Sequence, residues 1–291
     1  MRIIQIINPK AGHGLAEEVK LTNDEIIKYT TTGVRDAEEA VINFCKRYAN
    51  DELHFIVCGG DGTINEVVNG IISANAADRA YFSVAPTGSG NDFVKNFLNE
   101  KRKHRIDLIK YNDRYAVNMI NIGFDCSVVE KTSLYKNKKL ISGSMAYIMG
   151  VGNVLFHKLG QNMTITVTNE NDEVLEFNGE FLLCPVANGA FCGGGFKALP
   201  LAKLNDGILD MLIVSKISRA KFLSLVGEYR KGTYISPETM EIKPKFKDVI
   251  KYIKCKKVTI SGIKTICIDG ELEDAESVCI EVIPNAITYI G

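Results

Sequence analysis

A doubly wound α/β domain followed by an antiparallel β-sandwich domain is the fold class predicted by this 291-residue sequence. Three observations predict it. Apolar strand runs, glycine-bearing loops and helix-spaced apolar residues alternate three times before Phe97, the pattern of parallel βα units. The basic run Lys101-Arg102-Lys103-His104-Arg105 marks a change of composition. Beyond it, apolar residues recur with period two in many short runs separated by turn residues, as in antiparallel sheets. The domains are therefore placed at residues 1–107 and 108–291, with the last few residues free to return to the first domain.

In chain order, Arg2-Ile3-Ile4-Gln5-Ile6-Ile7 is a nearly all-apolar strand, as expected where both faces of a parallel sheet are covered. It enters the loop Asn8-Pro9-Lys10-Ala11-Gly12-His13-Gly14. Tyr29 to Thr32 reads as the next strand, and Ala37, Ala40, Val41 and Phe44 give a helix from Asp36 to Tyr48 its inner face. Leu53 to Val57 is a buried strand running into Cys58-Gly59-Gly60-Asp61-Gly62-Thr63. Ile64, Val67, Val68, Ile71 and Ile72 then fall at helical spacing, so a helix begins near Thr63. Tyr81 to Ala85 is a strand entering Pro86-Thr87-Gly88-Ser89-Gly90-Asn91-Asp92, with Phe93, Val94 and Phe97 on the helix behind it. The second domain's alternating runs are Tyr115–Ile122, Met163–Thr168, Val174–Phe177, Phe181–Val186, Leu209–Val214, Val258–Ser261, Ile266–Ile268 and Val278–Ile283. Helices interrupt them over Ser142–Leu155 and Ser218–Lys231.

Composition narrows the function classes. Hydrophobic residues make up 46% and charged residues 24% of the chain, the balance of a soluble globular protein. Lys+Arg and Asp+Glu both total 35, so no global field favours nucleic acid. The eight cysteines show no metal-binding spacing and read as reduced core residues of a cytosolic protein. The chain opens on a strand pattern rather than a signal peptide, and its most apolar stretch is too short to span a bilayer.

Strand, glycine turn and helix together aim backbone N–H groups and a positive helix end at phosphate. Asp61 sits inside the Gly59 to Gly62 turn, where a carboxylate beside phosphates calls for an intervening cation, hence Mg²⁺-bound nucleotide. Loops at strand C-termini gather at one edge of a doubly wound sheet, so the three glycine-bearing loops should meet there. Neither a GxxxxGK[ST] loop nor GxGxxG is present.

The ordered set Asn8-Pro9-Lys10-Ala11-Gly12, Gly59-Gly60-Asp61-Gly62-Thr63 and Pro86-Thr87-Gly88-Ser89-Gly90-Asn91-Asp92-Phe93 resembles the diacylglycerol kinase catalytic domain, in its bacterial soluble lipid kinase branch. The resemblance runs on through Ala187-Asn188-Gly189 with Gly193-Gly194-Gly195-Phe196, through Pro200-Leu201-Ala202 to Asp206-Gly207-Ile208-Leu209-Asp210, and through Asp269-Gly270-Glu271. It implies an ATP- and Mg²⁺-dependent lipid kinase working at the cytoplasmic face of a membrane, with lipid as its partner, no nucleic acid, and a homodimer left open. Nucleotide phosphates would lie on Asn8 to Gly12 and on Gly59, Gly60, Asp61, Gly62, Thr63, Ile64, Asn65 and Glu66, with hydroxyls from Ser89 and Thr31. Thr30 and Thr32 compete with Thr31 for that place. Asp61 would hold the Mg²⁺ of MgATP. Asp206, with the carbonyls of Lys203 and Ile208, would hold a second, structural Mg²⁺; an Asp-Gly hairpin turn is the competing reading. Glu271 is the candidate base for the acceptor hydroxyl, with Asp269 two residues before it on the same strand face.

Two alternatives remain at this stage. NAD kinase shares a GGDGT loop, but its Asn-Asn-Glu triplet is absent from this sequence. A nucleotide-binding regulator without turnover is the other. Lys243 to Lys257 holds seven lysines and offers itself as a face for anionic lipid.

Overall fold

The computed structural model describes residues 1–11, 26–88, 90–97, 102–136 and 160–291. Gly12, His13, Ser89, Lys101 and the helix predicted over Ser142–Leu155 lie outside the described residues. In the first domain β1 (Arg2–Ile7), β2 (Ile27–Thr30), β3 (Leu53–Gly59) and β4 (Ala80–Pro86) form a parallel sheet in the order β2-β1-β3-β4. Alternate residues Ile4, Ile6, Phe55, Val57 and Phe82 enter one core with Val41 and Cys45 of α1 (Asp36–Arg47) and Ile64, Val67, Val68 and Ile71 of α2 (Asp61–Ser73). Ile7, Ile56 and Cys58 form a smaller cluster on the opposite face. All four strands point the same way, so Asn8, Thr31, Gly60 and Thr87 follow strand ends at a single sheet edge.

The chain then crosses into antiparallel structure. Its strands are β5 (Lys103–Tyr111), β6 (Arg114–Ala116), β7 (Met119–Ile122), β8 (Gln161–Asn169), β9 (Val174–Leu183), β10 (Val186–Ala187), β11 (Leu209–Ser215), β12 (Ile250–Ser261), β13 (Thr265–Ile268), β14 (Glu271–Asp274) and β15 (Ser277–Ile290), with helices α3 (Phe124–Lys136) and α4 (Arg219–Lys231). Pairing of β8 with β9, β9 with β11, β11 with β12 and β12 with β8 closes a ring around Ile165, Val167, Met211, Ile213, Val258 and Ile260. A second core lies under α4, where Phe222, Leu225 and Tyr229 meet Phe124, Leu182, Leu212, Val214 and Phe246.

The long strand β15 links the two halves. It pairs antiparallel with β12 and β5, and its end runs parallel to β4 through Thr288–Tyr81 and Tyr289–Phe82. Its ladder with β5 shifts register between Ile283 and Ile287, where Pro284 has no N–H to donate and Asn285 takes a positive φ of 50°. Ile287 and Tyr289 thereby enter the first domain's core.

Several elements differ from the sequence expectation. The basic run read as a boundary is largely the start of β5, which buries His104, Ile106 and Leu108. Tyr115–Ile122 is two strands rather than one, split at Val117-Asn118. Among the described residues the segment after β4 is 3₁₀ over Val94–Phe97, and α2 starts at Asp61, ahead of Thr63. α3 and β14 had no sequence counterpart. Among the described residues no helix is long and apolar enough to cross a membrane.

Candidate active-site crevice

The strand C-termini of the first domain open onto a crevice of about 750 Å³ whose far wall comes from the second domain. Two glycine loops touch there backbone to backbone. A Cβ at Gly88 would lie 2.5 Å from the Gly60 Cα, and one at Gly60 would lie 3.3 Å from the Gly88 Cα, so only glycine permits the approach. Thr63 closes over the same turn: a Cβ at Gly59 would stand 2.5 Å from its Oγ1, which accepts from Asn8 Nδ2 at 3.0 Å. The Lys10 amide donates to Asn8 Oδ1 at 3.0 Å, curling the first loop back on itself. Gly60 caps α2 without a side chain. Its first turn therefore presents amides and the positive helix end to the crevice, a site suited to anions. Thr31 and Thr32 both border the crevice. Thr31 is buried there, while the Thr32 hydroxyl is spent on Asp36 at 2.8 Å and Thr30 is turned to solvent away from it.

Carboxylates gather at the same place. Asp61 accepts from the amides of Asp92 and Phe93, each at 3.1 Å. Burial, and next the neighbouring Asp92 charge, push its pKa up to about 6 against the pull of those amides. Buried Asp92 takes the Lys95 ammonium at 2.7 Å and the Gly194 amide at 2.8 Å, tying the first domain to the second. Gly90 makes room for both: a Cβ there would lie 3.2 Å from Asp61 Oδ2 and 3.5 Å from Asp92 Oδ2. Across the crevice Glu271, at the start of β14, extends its carboxylate over the first turn of α2, with Oε1 3.5 Å from where a Gly62 Cβ would be. No donor among the described residues holds it.

Asn65, Glu66 and Asp269 line the crevice as expected, but they and Ile64 are also held in structural contacts. Asp269 is not a second carboxylate on Glu271's strand. It sits in the β13–β14 hairpin turn with a φ of 47°, and accepts from the amides of Val117 (2.8 Å), Asn118 (3.0 Å) and Met119 (3.0 Å) and from Asn65 Nδ2 (2.9 Å). With those four donors it serves as a clamp rather than a base. Burial raises its pKa, and the donors oppose the rise. Asn65 is held in the same network, donating also to the Tyr115 carbonyl at 3.0 Å. Glu66 caps α1 through the amides of Arg35 (2.9 Å) and Ala37 (3.1 Å). Ile64 points into the core, and its amide donates to the Gly60 carbonyl at 3.1 Å. Pro9 is exposed beside the crevice rather than in its wall, whereas Lys10 and Ala11 line it.

Residues 2–122 match the family model described as diacylglycerol kinase catalytic domain, and residues 118–291 match the YegS C-terminal NAD kinase beta sandwich-like domain. The chain belongs to the diacylglycerol kinase superfamily. It is similar to proteins named "Putative lipid kinase" in Staphylococcus aureus strains Mu3 and Newman, each 28% identical over 94% of this chain and 90% of theirs. Two solved structures from Bacillus anthracis str. Sterne, one titled a diacylglycerol kinase and the other "A putative diacylglycerol kinase", share its fold. Their TM-scores are 0.67 and 0.72 at 19% and 22% identity, covering 99% of this chain and 96% of each. At the general level the chain is a lipid-kinase-like phosphotransferase.

The second metal site implied by the superfamily resemblance does not fit the residues around Asp206. Its Oδ2 faces the Lys254 ammonium at 3.3 Å and its Oδ1 accepts from the Ile208 amide at 3.3 Å, so both oxygens are already engaged. Among the described residues no three His, Cys, Asp or Glu side chains cluster closely enough to hold a metal alone. In the crevice this is no obstacle, because the Mg²⁺ of a nucleotide takes one or two carboxylates and completes its shell with phosphates and water. The all-oxygen set of Asp61 and its neighbours suits that hard cation.

The lysine stretch is also less basic than its sequence suggests. Lys243 and Lys245 pair with Glu228, Lys254 with Asp206, Lys256 with Asp172 and Lys257 with Glu281. Asp92 and Lys95 were not singled out in the sequence. The available signal was an acid in a glycine loop that the parallel-sheet pattern already brought to the Gly59 to Gly62 turn.

Proposed function

We propose that this chain is an ATP- and Mg²⁺-dependent lipid kinase that transfers the γ-phosphate of ATP to the hydroxyl of a membrane lipid such as diacylglycerol. The observation that carries this reading is the placing of Glu271, from the second domain, over the first turn of α2, where Asp61 and the touching Gly60 and Gly88 loops already meet. ATP phosphates rest on the amides of that turn and on the Asn8 loop, with the Lys10 ammonium at the rim. Asp61, and Asp92 behind it, present oxygen ligands to the nucleotide's cation. Mg²⁺ bound with ATP supplies neutralisation of charge on the phosphoryl group. Glu271 accepts the proton of the acceptor hydroxyl and orients its oxygen in line. The acceptor enters from a membrane surface that the protein touches peripherally, and 92%-exposed Val34 stands at the mouth of the crevice on that route.

The test is transfer of labelled γ-phosphate from MgATP to mixed micelles of diacylglycerol, monoacylglycerol, phosphatidylglycerol, sphingoid base, ceramide and polyprenol, with NAD in a parallel tube. Label in the organic phase supports the reading and names the lipid. Label on NAD alone replaces it with an NAD kinase. ATP binding without transfer in any tube replaces it with a nucleotide-binding regulator. Asp61→Asn is expected to cut transfer by about 10²–10³-fold while leaving the fold intact.

A further inference from the structure

Away from the crevice, the loop Lys203 to Ile208 and strands β11 and β12 enclose a charge cluster. Asp210 is fully buried; no hydrogen bond of ordinary length reaches either of its carboxylate oxygens, and its polar neighbours are the Tyr252 hydroxyl and the Lys254 ammonium. The nearby Tyr252 hydroxyl accepts from the Leu201 amide at 3.3 Å. The exposed Asp206 lies beside Asp210, and a second buried carboxylate close by, Asp107, is satisfied by the amides of Gly207 and Asn285 at 2.7 Å each. One cation faces the other two acids. Lys254 places its ammonium 3.3 Å from Asp206 Oδ2 and 3.6 Å from Asp210 Oδ2, with its side chain only 17% exposed.

The register fixes it there. Asp210 and Lys254 are direct partners in the antiparallel β11–β12 ladder, which holds opposed side chains about 5 Å apart at Cβ. A carboxylate removed from water and so poorly supplied with donors is tolerated only with an opposite charge beside it. A divalent ion on Asp206 would have to enter against the ammonium that already sits between the two carboxylates.

We infer that Lys254 is this chain's built-in cation at the Asp206–Asp210 carboxylate pair, so that this segment holds its shape without a divalent metal. The inference concerns folding and stands apart from the kinase reading, so its test reads no activity.

Thermal unfolding of the full chain is followed in an Asp61→Asn background, which removes the carboxylate proposed for nucleotide-bound Mg²⁺. The midpoint is expected to be the same in EDTA and in millimolar Mg²⁺. In EDTA, Lys254→Met should lower it by roughly 5–10 °C, the cost of stranding a buried charge. Adding Asp210→Asn to Lys254→Met should restore most of the loss, because the stranded charge is gone. Should Lys254→Met fail to accumulate folded, the double variant decides: folding in EDTA supports the inference and failure to fold overturns it. A midpoint that rises several degrees with Mg²⁺ in the Asp61→Asn protein with Lys254 intact, or that ignores Lys254→Met, overturns it as well.

Discussion

Two carboxylates two residues apart, Asp269 and Glu271, face opposite fates because of what surrounds them. Asp269 receives four N–H donors, while Glu271 is exposed over the α2 turn with none. Glu271→Gln should therefore lower phosphoryl transfer by about 10²–10⁴-fold and leave the unfolding midpoint unchanged. Asp269→Ala should strand buried donors and cost about 3 kcal/mol, a fall of roughly 6–12 °C in a chain of this size. Measuring transfer and melting on both purified variants separates the roles. An Asp269→Ala protein of normal midpoint with lost transfer would make it a chemical group after all. The sequence made Glu271 legible through its place in Asp269-Gly270-Glu271. It could not reveal the clamp, because three of the four donors to Asp269 come from residues 150–152 positions earlier in the chain.

At the scale of elements, the same substitution should have opposite signs in two helices. Gly70 in α2 is where α1 crosses: a Cβ there would meet the Glu38 carbonyl oxygen and Val41 Cβ, each at 2.8 Å. Gly227 in α4 has nothing within 4 Å of that position. Gly70→Ala should destabilise by about 1–3 kcal/mol through overpacking, overriding its better helix propensity. Gly227→Ala should stabilise by about 0.5–1 kcal/mol. Denaturant melts of the two variants check both signs, and a gain at Gly70 would show that the helices can part at little cost. α4 also carries a pH-dependent contact. Hydrogen bonds from Lys243, then Thr233 and Lys245, hold the pKa of Glu228 down to about 2. Its contribution is therefore complete above the unfolded value near 4.3 and is lost as pH falls from about 5 to 2. Glu228→Gln should be less stable than the parent at neutral pH, with the gap closing across that acid window in melts run at stepped pH. Strands and helices with regular patterns (β1, β3, α1, α2 and β11) were legible in the sequence. β5 was not, since Lys103 and Arg105 mask its alternation, and neither was α3, whose sequence carries no single apolar stripe.

The whole molecule is bound together by the strand that ends it. β15 pairs with β12 in the second domain and with β4 in the first, and Tyr289 packs on Phe82, Phe93 and Phe97 with ring centroids 4.5–5.2 Å apart. Asp92 to Gly194 and Asn65 to Asp269 cross the same seam beside the crevice. Domain separation would break the sheet and the crevice together, because Glu271 belongs to one half and Asp61 to the other. Such coupling predicts a single unfolding transition, with calorimetric and van't Hoff enthalpies in agreement. Tyr289→Ala, which removes a ring that is 4% exposed, should cost about 3–5 kcal/mol and lower that one transition as a unit. Two resolved transitions in the parent, or a Tyr289→Ala protein in which only the first domain melts early, would mean that the halves fold independently. The placing of Glu271 over α2 would then be a docked arrangement that nucleotide could open and close, instead of a fixed property of one sheet.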